Sequence, residues 1–264
     1  MASLDQQLSF AVETAEAAGA LILSHYETFP SGALRMKGLR DPVTAADLAA
    51  ERLIVGAIRE RWPGTAIFAE EETQEGGRDG LTWYVDPIDG TVNFSQSHPF
   101  FAVSIALYDG DEPLVGVVHA PRLGETFAAA SGQGATLNGQ SLAVSRKERL
   151  IDSVLATGFA YKRNELADNN VGHFDHFVLR VRGMRRCGSA ALDLAYTAAG
   201  RLDGYWEPHL NPFDVAAGAL LVREAGGLVS DMNGAAQWLH GGTIVAANPA
   251  LHGDLLAGLR VSNP

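Results

Sequence analysis

Cysteine is nearly absent from this sequence, which has Cys187 alone among its 264 residues. An internal disulfide needs two cysteines and a thiolate metal cluster needs several, so both are excluded. No run of apolar residues approaches the roughly 18 that a membrane span requires. The first ten residues, MASLDQQLSF, also lack the basic start and apolar core of a secretory signal. We therefore expect a soluble protein of the cytoplasm.

Positive charge is scarce as well, because 20 lysines and arginines face 31 acids and give a formal net charge of −11. A chain this acidic is a poor generic binder of nucleic acid, whose phosphates attract clustered cations. The excess acid has two alternative explanations, solubility and a cation site whose ligands count as negative until the metal is added. We expect neither nucleic acid nor a membrane as the partner.

Helical periodicity dominates the start of the chain. Ser3 and Gln6 have the form of a capping box ahead of a long amphipathic helix. A second helix is predicted from near Thr44 to a stop before Pro63. Short β-rich runs follow, separated by turn signals such as the Asn138-Gly139 pair.

Strands alternate with helices in the rest of the chain. Helices are predicted at about 164–181, 189–200, 213–225 and 249–259. A strand-rich middle followed by an alternating segment indicates a layered α/β or α+β protein. We expect an N-terminal half, residues 1–150, and a C-terminal half, residues 151–264, in one compact unit.

Two acids stand three residues apart in the stretch WYVDPIDGTVNF, where Asp86 and Asp89 end a short apolar run. Buried carboxylates repel each other and lose solvation, so a positive partner is expected between them. Gly90 and Thr91 resemble the start of a helix or tight turn, whose free N–H groups favour anions. This mixture suits a Mg²⁺ ion that bridges protein and phosphate. The alternative is an Asp-Pro turn with Asp89 as an N-cap.

Two other segments offer acids that would join this pair. FAEEETQ has Glu70 at the end of another apolar run, although consecutive acids also form solvated loops. NPFDVAAGALLVREAGG has Asp214 in the first turn of an apolar helix, where the helix dipole favours an acid in any case. If all four acids converge, two or three divalent ions would make the cluster a two-metal phosphoryl-transfer site.

These segments resemble those of a known family. WYVDPIDGTVNF is similar to the signature of the inositol monophosphatase family, the lithium-sensitive, magnesium-dependent phosphomonoesterases. NPFDVAAGALLVREAGG resembles the second family signature, FAEEE resembles a third element, and weaker likeness covers nearly the whole chain. The resemblance implies an αβαβα sandwich with a large mixed or antiparallel sheet in the N-terminal half and a smaller sheet in the C-terminal half. It also implies a homodimer.

The resemblance further assigns roles to residues of this chain. It implies two to three Mg²⁺ ions, inhibited by Li⁺ and held by Glu70, Asp86, the Ile88 carbonyl, Asp89 and Asp214. Asp47 and Thr91, with Glu70, would activate a metal-bound water for attack on phosphorus. The predicted substrate contacts are Gly90, Thr91, Ser189, Ala190 and Glu207. As an alternative, Asp47 is simply an acid in the first turn of a helix that begins at Thr44.

The motifs account for binding of the phosphate group, but they do not indicate which alcohol is esterified to it. Inositol monophosphate is the best single substrate, and histidinol phosphate, fructose 1,6-bisphosphate and 3′-phosphoadenosine nucleotides are alternatives within the family. A function of another class is a regulatory protein that keeps the fold and binds a protein or RNA partner. Three positions depart from the family pattern: Ala69 replaces a common glycine, Phe213 a common tryptophan, and His98 an apolar residue. Only His98 bears on the choice of substrate.

Overall fold

The computed structural model describes residues 3–26, 35–38, 40–77 and 79–261. Its helices are α1 Leu4–Tyr26, α2 Ala45–Arg61, α3 Thr91–Ser95, α4 Val171–Val178, α5 Ala190–Ala198, α6 Pro212–Glu224 and α7 Pro249–Val261. Its first ten strands are β1 Arg35–Gly38, β2 Asp41–Val43, β3 Ala66–Ala69, β4 Gln74–Glu75, β5 Leu81–Asp89, β6 Ala102–Asp109, β7 Glu112–Ala120, β8 Glu125–Ala130, β9 Ala135–Leu137 and β10 Gln140–Ser141. The remaining strands are β11 Val154–Thr157, β12 Gly183–Arg185, β13 Gly204–Pro208, β14 Leu228–Ser230 and β15 Thr243–Ala247.

The first two helices begin where the sequence predicts, because each has a capping box. The Ser3 N–H donates to Gln6 Oε1 at 3.1 Å, and the Gln6 N–H donates to Ser3 Oγ at 3.3 Å. At α2 the Thr44 side chain accepts from the Ala46 N–H, while the Thr44 N–H donates to Asp47 Oδ2 at 2.8 Å. Such pairs satisfy amide groups that a helix start leaves without partners.

The strands form two main sheets. Eight strands make the larger sheet, in the order β10-β9-β8-β7-β6-β5-β3-β4. Its neighbouring strands are antiparallel except for β3 and β5, which run parallel. The smaller sheet has the order β12-β11-β13-β15-β14, and β1 pairs with β2 separately. Because β3 and β5 are parallel neighbours, their carboxyl ends lie at the same edge of the larger sheet.

Five layers pack face to face in this protein. Helices α1 and α2 cover one face of the larger sheet, in a core that contains Ile54 and Trp83. Helices α5 and α6 lie between the two sheets, in a core that contains Leu220. Helices α4 and α7 cover the outer face of the smaller sheet around Phe177 and Leu255. The predicted αβαβα sandwich is confirmed.

Small residues let α6 approach the larger sheet closely. A Cβ on Gly116 of β7 would lie 2.9 Å from the Ala217 carbonyl oxygen, so a larger residue would push the helix away. The Tyr108 hydroxyl of β6 donates to the Ala216 carbonyl at 2.8 Å. These contacts fix the helix on the sheet and thereby fix the position of Asp214 in its first turn.

The predicted helix at about 164–181 is wrong in extent, because α4 covers only Val171–Val178. The preceding stretch YKRNELADNN forms turns and bends. Asn170 has φ 69°, a left-handed conformation that does not fit a helix interior. Its side chain donates to the Gly158 carbonyl and accepts from Trp206 Nε1. These polar residues have no apolar face to bury, so they do not extend the helix.

Three smaller expectations have different outcomes. The hairpin turn at Asn138-Gly139 is confirmed, since φ is 48° and 78° at the two residues that join β9 to β10. The stretch 29–42, predicted from its glycines and prolines as a polar loop, is wrong in its described part, because the backbone there pairs into the short antiparallel strands β1 and β2, while residues 29–34 and 39 lie outside the described residues. The division into halves at residue 150 stays a prediction. Among the helices described, none has the length and apolar character that crossing a bilayer requires.

Candidate active site

A bulge in β5 turns both signature aspartates toward one side. Asp86 pairs with Ser104 and Asp89 pairs with Ala102, so three steps along β5 match two along β6. In a regular strand, residues three apart point to opposite faces of the sheet. The extra residue breaks this alternation and re-aims the second side chain. Both aspartates consequently line the same pocket.

Glu70 and Asp214 reach this pocket from neighbouring elements. Glu70 follows β3, whose last residue, Ala69, pairs with Val85 of the parallel strand β5. The two strand ends therefore lie side by side. Asp214 belongs to the capping box of α6, in which the Asn211 N–H donates to Asp214 Oδ2 at 2.7 Å. The four acids that the sequence singles out thus converge.

The pocket has a volume of about 190 Å³. Its wall consists of Glu70, Asp86, Ile88, Asp89, Gly90, Thr91, Phe159, Ala160, Tyr161, Arg186, Gly188, Ser189, Ala190, Glu207, His209, Leu210, Asn211 and Asp214. Every residue predicted to bind metal or substrate is in this wall. Asp47 is not part of the wall and bonds to Thr91.

Burial makes the ionised forms of these acids costly. It raises the pKa of Asp86 well above its ordinary value, and the charges of the three neighbouring acids raise it further. Burial also raises the pKa of Asp214, followed by the charges of Asp89 and Glu70. Asp86 Oδ1 is buried and has no hydrogen-bond partner in the described part of the chain. Asp86 combines a buried oxygen that has no donor with the charges of three neighbouring acids, and this combination calls for a cation.

The pocket acids fit a divalent cation by their chemistry, although their geometry is open. Across residues 3–26, 35–38, 40–77 and 79–261, no three acidic, histidine or cysteine side chains stand ready at metal-binding geometry. Local donors hold three of the four pocket acids, with Lys37 on Glu70, Ser189 on Asp89 and Asn211 on Asp214. Hard carboxylate oxygens are the ligands that Mg²⁺ and Ca²⁺ prefer.

Asp89 is tied to the start of α5. Its Oδ2 accepts hydrogen bonds from Ser189 Oγ and from the Ala191 N–H, both at 2.6 Å. Burial raises the pKa of Asp89 to about 6, and these hydrogen bonds counter part of the rise. The Asn93 amide donates to the Cys187 carbonyl at 2.8 Å and holds the segment before α5 against α3. Ser189 therefore borders the pocket as the N-cap of α5.

Gly90 allows the chain to turn from β5 into α3. Its φ is 101°, a left-handed value that favours glycine. A Cβ there would lie 3.1 Å from the Phe100 carbonyl oxygen and 3.2 Å from that of Gly188. Conformation and space both require glycine, and the turn brings the backbone of Gly90 and Thr91 to the pocket wall.

Asp47 and Thr91 form a buried pair beside the acids. Thr91 Oγ1 lies 3.0 Å from Asp47 Oδ1 and 3.0 Å from the Ile88 carbonyl oxygen. The hydroxyl has a single proton, and the charge-assisted bond to the carboxylate is the stronger of the two. Burial raises the pKa of Asp47, while hydrogen bonds from Thr44 and Thr91 lower it. Asp47 is thus both the helix-capping acid of the alternative interpretation and the partner of the signature threonine.

Lys37 is the cation nearest to Glu70. Its Nζ lies 2.9 Å from Glu70 Oε1 and 3.0 Å from Glu71 Oε1. Burial raises the pKa of Glu71 to about 7, and the charge of Glu70 raises it further. Beneath this turn, the buried Glu51 accepts hydrogen bonds from the N–H groups of Glu71 and Glu72. The FAEEE segment is therefore held by hydrogen bonds to the Glu51 carboxylate and by ion pairs with Lys37.

Glu207 enters the pocket from the smaller sheet, at the end of β13. The Tyr205 hydroxyl donates to Glu207 Oε2 at 2.5 Å. Burial raises the pKa of Glu207 to about 7, although this hydrogen bond lowers it. The pocket thus combines acids from the larger sheet and α6 with a single glutamate from the smaller sheet.

Arg186 and His209 belong to the pocket wall but were not predicted from the sequence. His209 follows β13 with φ 65°, an uncommon conformation for a residue other than glycine. Its Nε2 lies 2.8 Å from the Asp168 carbonyl oxygen. A histidine two residues beyond Glu207 was visible in the sequence, but no spacing rule indicated which way it faces. His98, which seemed to bear on the substrate, is exposed and lies outside the pocket wall.

A larger cavity of about 730 Å³ lies elsewhere in the molecule. It is bordered by the β6–β7 turn, the end of α6, β14 and the segment around Trp238, and it shares no residue with the acid-lined pocket. Clustered acids with perturbed pKa values mark functional sites better than size does. The smaller pocket is therefore the candidate active site.

Known proteins resemble this chain along nearly its whole length. It is 45% identical over 258 residues to an inositol-1-monophosphatase of Synechocystis, covering 97% of this chain and 89% of that protein. It is 44% identical over 254 residues to the Nus factor SuhB of Escherichia coli, covering 96% and 95% of the two chains. The structure of an inositol monophosphatase from Anabaena matches with a TM-score of 0.90 at 40% identity, covering 98% and 96%.

The fold and these relatives define the class of protein, a phosphomonoesterase with αβαβα architecture. More particularly, the model of the inositol monophosphatase family matches residues 3–263, and the chain belongs to that family. The family is generally metal-dependent, in agreement with the acid-lined pocket.

Proposed function

We propose that this protein hydrolyses the phosphate monoester of a small polyol in a reaction that depends on Mg²⁺, with inositol monophosphate as the best single substrate. One observation carries the proposal: the buried Asp86 Oδ1 has no donor in the described residues, and three further acids surround it in one pocket. A phosphate dianion would be repelled by four carboxylates unless cations lie between them. Mg²⁺ takes one or two carboxylates together with phosphate oxygens, which suits this need.

The groups that would hold two or three ions are Glu70, Asp86, the Ile88 carbonyl, Asp89 and Asp214. When bound, magnesium supplies Lewis-acid polarisation of the phosphoryl group and lowers the pKa of water. The local donors on Glu70, Asp89 and Asp214 would keep their side chains in the pocket while the ions exchange.

Asp47 and Thr91 would handle the proton of the attacking water. The Thr91 hydroxyl donates to Asp47, which leaves the oxygen of the threonine free to accept a hydrogen bond from water. As the water oxygen bonds to phosphorus and the ester P–O bond breaks, the proton of the water would pass to Thr91 Oγ1 and the proton of the threonine to Asp47, while the departing alkoxide would take a proton from solvent. The buried carboxylate is suited to take it, because burial raises the pKa of Asp47.

The remaining predicted residues would orient the substrate. The N–H groups at Gly90 and Thr91 would donate to phosphate oxygens, as backbone donors at a helix start commonly do. Ser189 and Ala190 at the start of α5, and Glu207 on β13, would border the alcohol. A carboxylate accepts hydrogen bonds from hydroxyl groups, so Glu207 favours a polyol as the alcohol.

Phosphate release tests the proposal. The substrates are inositol 1-phosphate, histidinol phosphate, fructose 1,6-bisphosphate and 3′-phosphoadenosine 5′-phosphate, each with Mg²⁺ and again with EDTA. We expect turnover in magnesium, no turnover in EDTA, and inhibition by Li⁺. Release of phosphate that is equally fast after chelation would contradict the metal mechanism. A faster reaction with another ester of the panel would replace inositol phosphate as the substrate.

A second candidate function is regulation through a protein partner. The observation that favours it is the 44% identity to a relative named as a Nus factor. The candidate predicts stable binding to a protein partner by a variant that no longer hydrolyses phosphate esters. Binding measurements with Asp89→Asn would separate the two activities, since loss of both together would argue against an independent partner role.

We also propose that the protein forms a homodimer in the cytoplasm. The proposal of a homodimer rests on membership of the inositol monophosphatase family. The resemblance of the sequence to that family already implied a homodimer. Light scattering during gel filtration would report twice the mass of the 28.0 kDa chain. A mass equal to one chain would contradict the proposal.

A further inference from the structure

Two neighbouring strands hold the carboxylate of Glu207 between the Tyr205 hydroxyl on β13 and the backbone of Gly158 just after β11. We call this arrangement the Glu207 seat. Tyr205, two residues earlier on β13, is completely buried, and its hydroxyl donates to Glu207 Oε2 at 2.5 Å. This phenol is the hydrogen-bond donor that the described residues supply to the carboxylate. The bond engages Oε2, and the Glu207 side chain lines the pocket.

Gly158, which follows β11, forms the other side of the seat. A Cβ at this glycine would lie 1.9 Å from Glu207 Oε2 and 2.2 Å from Oε1. The carboxylate therefore occupies the space that any side chain at residue 158 would need. The Gly158 backbone is held in turn, because its carbonyl accepts a hydrogen bond from the side chain of Asn170. That amide also bonds to Thr157 Oγ1, which anchors it to β11.

This seat fixes the orientation of the Glu207 carboxylate. An unrestrained glutamate has three side-chain torsions, and ordering them on substrate binding costs free energy. Glu207 is ordered in advance by the phenol on one side and by the glycine surface on the other. A pre-ordered acceptor discriminates between alcohols by the hydroxyl groups that they present.

We propose that Tyr205 and Gly158 are positioning residues that hold Glu207 so that Oε1 accepts hydrogen bonds from hydroxyl groups of the alcohol. The inference rests on the proposed phosphomonoesterase function and deepens it: Tyr205 and Gly158, which touch no substrate, set how strongly the enzyme prefers phosphate esters of polyhydroxylated alcohols. Esters without hydroxyl groups gain nothing from the seat. Tyr205 touches no substrate in this account and acts only through Glu207.

The experiment compares two phosphate esters in the same enzyme. Inositol 1-phosphate has hydroxyl groups beside the ester, and p-nitrophenyl phosphate has none. In Tyr205→Phe the ring remains and only the hydroxyl is lost. We expect KM for inositol 1-phosphate to rise about tenfold, since hydrogen bonds to charged groups have about this effect, while kcat changes little. Both constants for p-nitrophenyl phosphate should stay unchanged.

Tyr108→Phe is the matched control. Tyr108 is equally buried and also donates one hydrogen bond, but its acceptor is the Ala216 carbonyl and it lies outside the pocket wall. Tyr108→Phe should leave the ratio of kcat/KM for the two esters as it is in the wild type. Gly158→Ala should reduce kcat/KM for inositol 1-phosphate more than Tyr205→Phe does, because the new methyl displaces the carboxylate itself.

The outcomes separate the two proposals. If Tyr205→Phe slows both esters equally, or if Tyr108→Phe changes the ratio to the same extent, the positioning role is wrong while the enzyme activity stands. If the wild type releases phosphate from neither ester in magnesium, the proposed function is wrong and the inference fails with it. A Gly158→Ala protein that does not fold leaves the result of Tyr205→Phe decisive.

Discussion

Two regions of this molecule each contain a buried aspartate and a residue with a left-handed backbone, but they differ in the donors of the aspartate and in the type of that residue. In the turn at 231–235, the buried Asp231 has its Oδ1 bonded to the N–H groups of Asn233 and Ala235, both at 2.8 Å. The left-handed position of that turn is occupied by Gly234, with φ 87°. At the pocket, the buried Asp86 has an oxygen with no donor in the described residues, and a left-handed position is occupied by His209.

The difference lies in how the buried acid of each region is satisfied and in which residue takes the left-handed conformation. A buried acid supplied with donors stabilises the fold, and a glycine takes a left-handed conformation with little strain. A buried acid with an oxygen that lacks a donor costs stability in the isolated chain, and so does a non-glycine residue in the left-handed conformation. Such costs concentrate where a ligand completes the structure.

The largest expected effect is on catalysis at the pocket. Asp89→Asn should lower kcat/KM about a thousandfold, or about 4 kcal/mol, because a neutral amide is a poor ligand for the proposed ions. The metal-free variant should unfold at the same temperature as the wild type or higher, since one of four repelling acids is neutralised. Steady-state kinetics and thermal unfolding measure the two effects.

Asp231→Asn makes the same chemical change in the scaffold and serves as the control. Its amide oxygen still accepts from the two N–H groups, and the residue lies outside the pocket wall. Activity should therefore match the wild type. Nearly normal turnover by Asp89→Asn would show that the pocket acids do not hold the catalytic ions.

The next largest effect is on stability and comes from magnesium. A saturating concentration, about a hundred times the dissociation constant, should stabilise the fold by about 2.7 kcal/mol and raise the unfolding temperature by several degrees. Burial raises the pKa of Asp89 to about 6 and that of Glu207 to about 7, above the unfolded values of about 3.9 and 4.3. Between about pH 4 and pH 7 the metal-free folded state binds more protons than the unfolded state, so its stability falls as the pH rises.

Magnesium should reverse the part of this loss that comes from Asp89, because Asp89 is a proposed ligand and the ion binds only deprotonated carboxylates, whereas the part from Glu207 should remain. The gap between unfolding temperatures with magnesium and with EDTA should thus widen from about pH 5 to about pH 7.5. Asp89→Asn should narrow the gap at the higher pH. A gap that is the same at both pH values would break the link between the pocket acids and the metal.

A smaller effect is expected in the scaffold. Asp231→Ala removes the acceptor of two buried N–H groups and should lower the free energy of unfolding by about 2 kcal/mol. The activity of the folded protein should not change, since neither Asp231 nor the residues whose N–H groups it binds belong to the pocket wall. Urea unfolding and kinetics at a temperature well below the transition give the two values. Reduced kcat at full folding would mean that the two regions are coupled.

Part of the fold was accessible from the sequence, because periodicity and turn chemistry are local. Apolar spacing and turn signals predicted a layered α/β or α+β protein, and Thr44 predicted the start of α2, whereas the αβαβα order and the convergence of the four acids were implied by the resemblance to the family. The failure at about 164–181 is also physical, since polar turn residues there bond to β13 through Asn170 rather than continuing a helix.

The features that remained hidden depend on register and on contacts between distant segments. The β5 bulge that turns Asp86 and Asp89 to one side requires knowledge of the pairing with β6. The seat of Glu207 requires that residue 158 of one strand meets residue 207 of another. Neither the spacing nor the residue types of a single segment contain such information.

The smallest effect concerns the left-handed backbone at each region. His209→Gly and His209→Ala both remove the hydrogen bond to the Asp168 carbonyl, so their difference isolates the backbone. Alanine at φ 65° keeps a left-handed cost of about 1–2 kcal/mol, which glycine avoids at about 0.5–1 kcal/mol of extra unfolded-state entropy. The glycine variant should therefore be more stable by about 0.5–1 kcal/mol in urea unfolding. Gly234→Ala should show the opposite sign in the scaffold turn, because it introduces the strain there. Equal stability of the two His209 variants would mean that the backbone at residue 209 adapts to alanine without a cost in free energy. The two regions would then differ only in their buried acids.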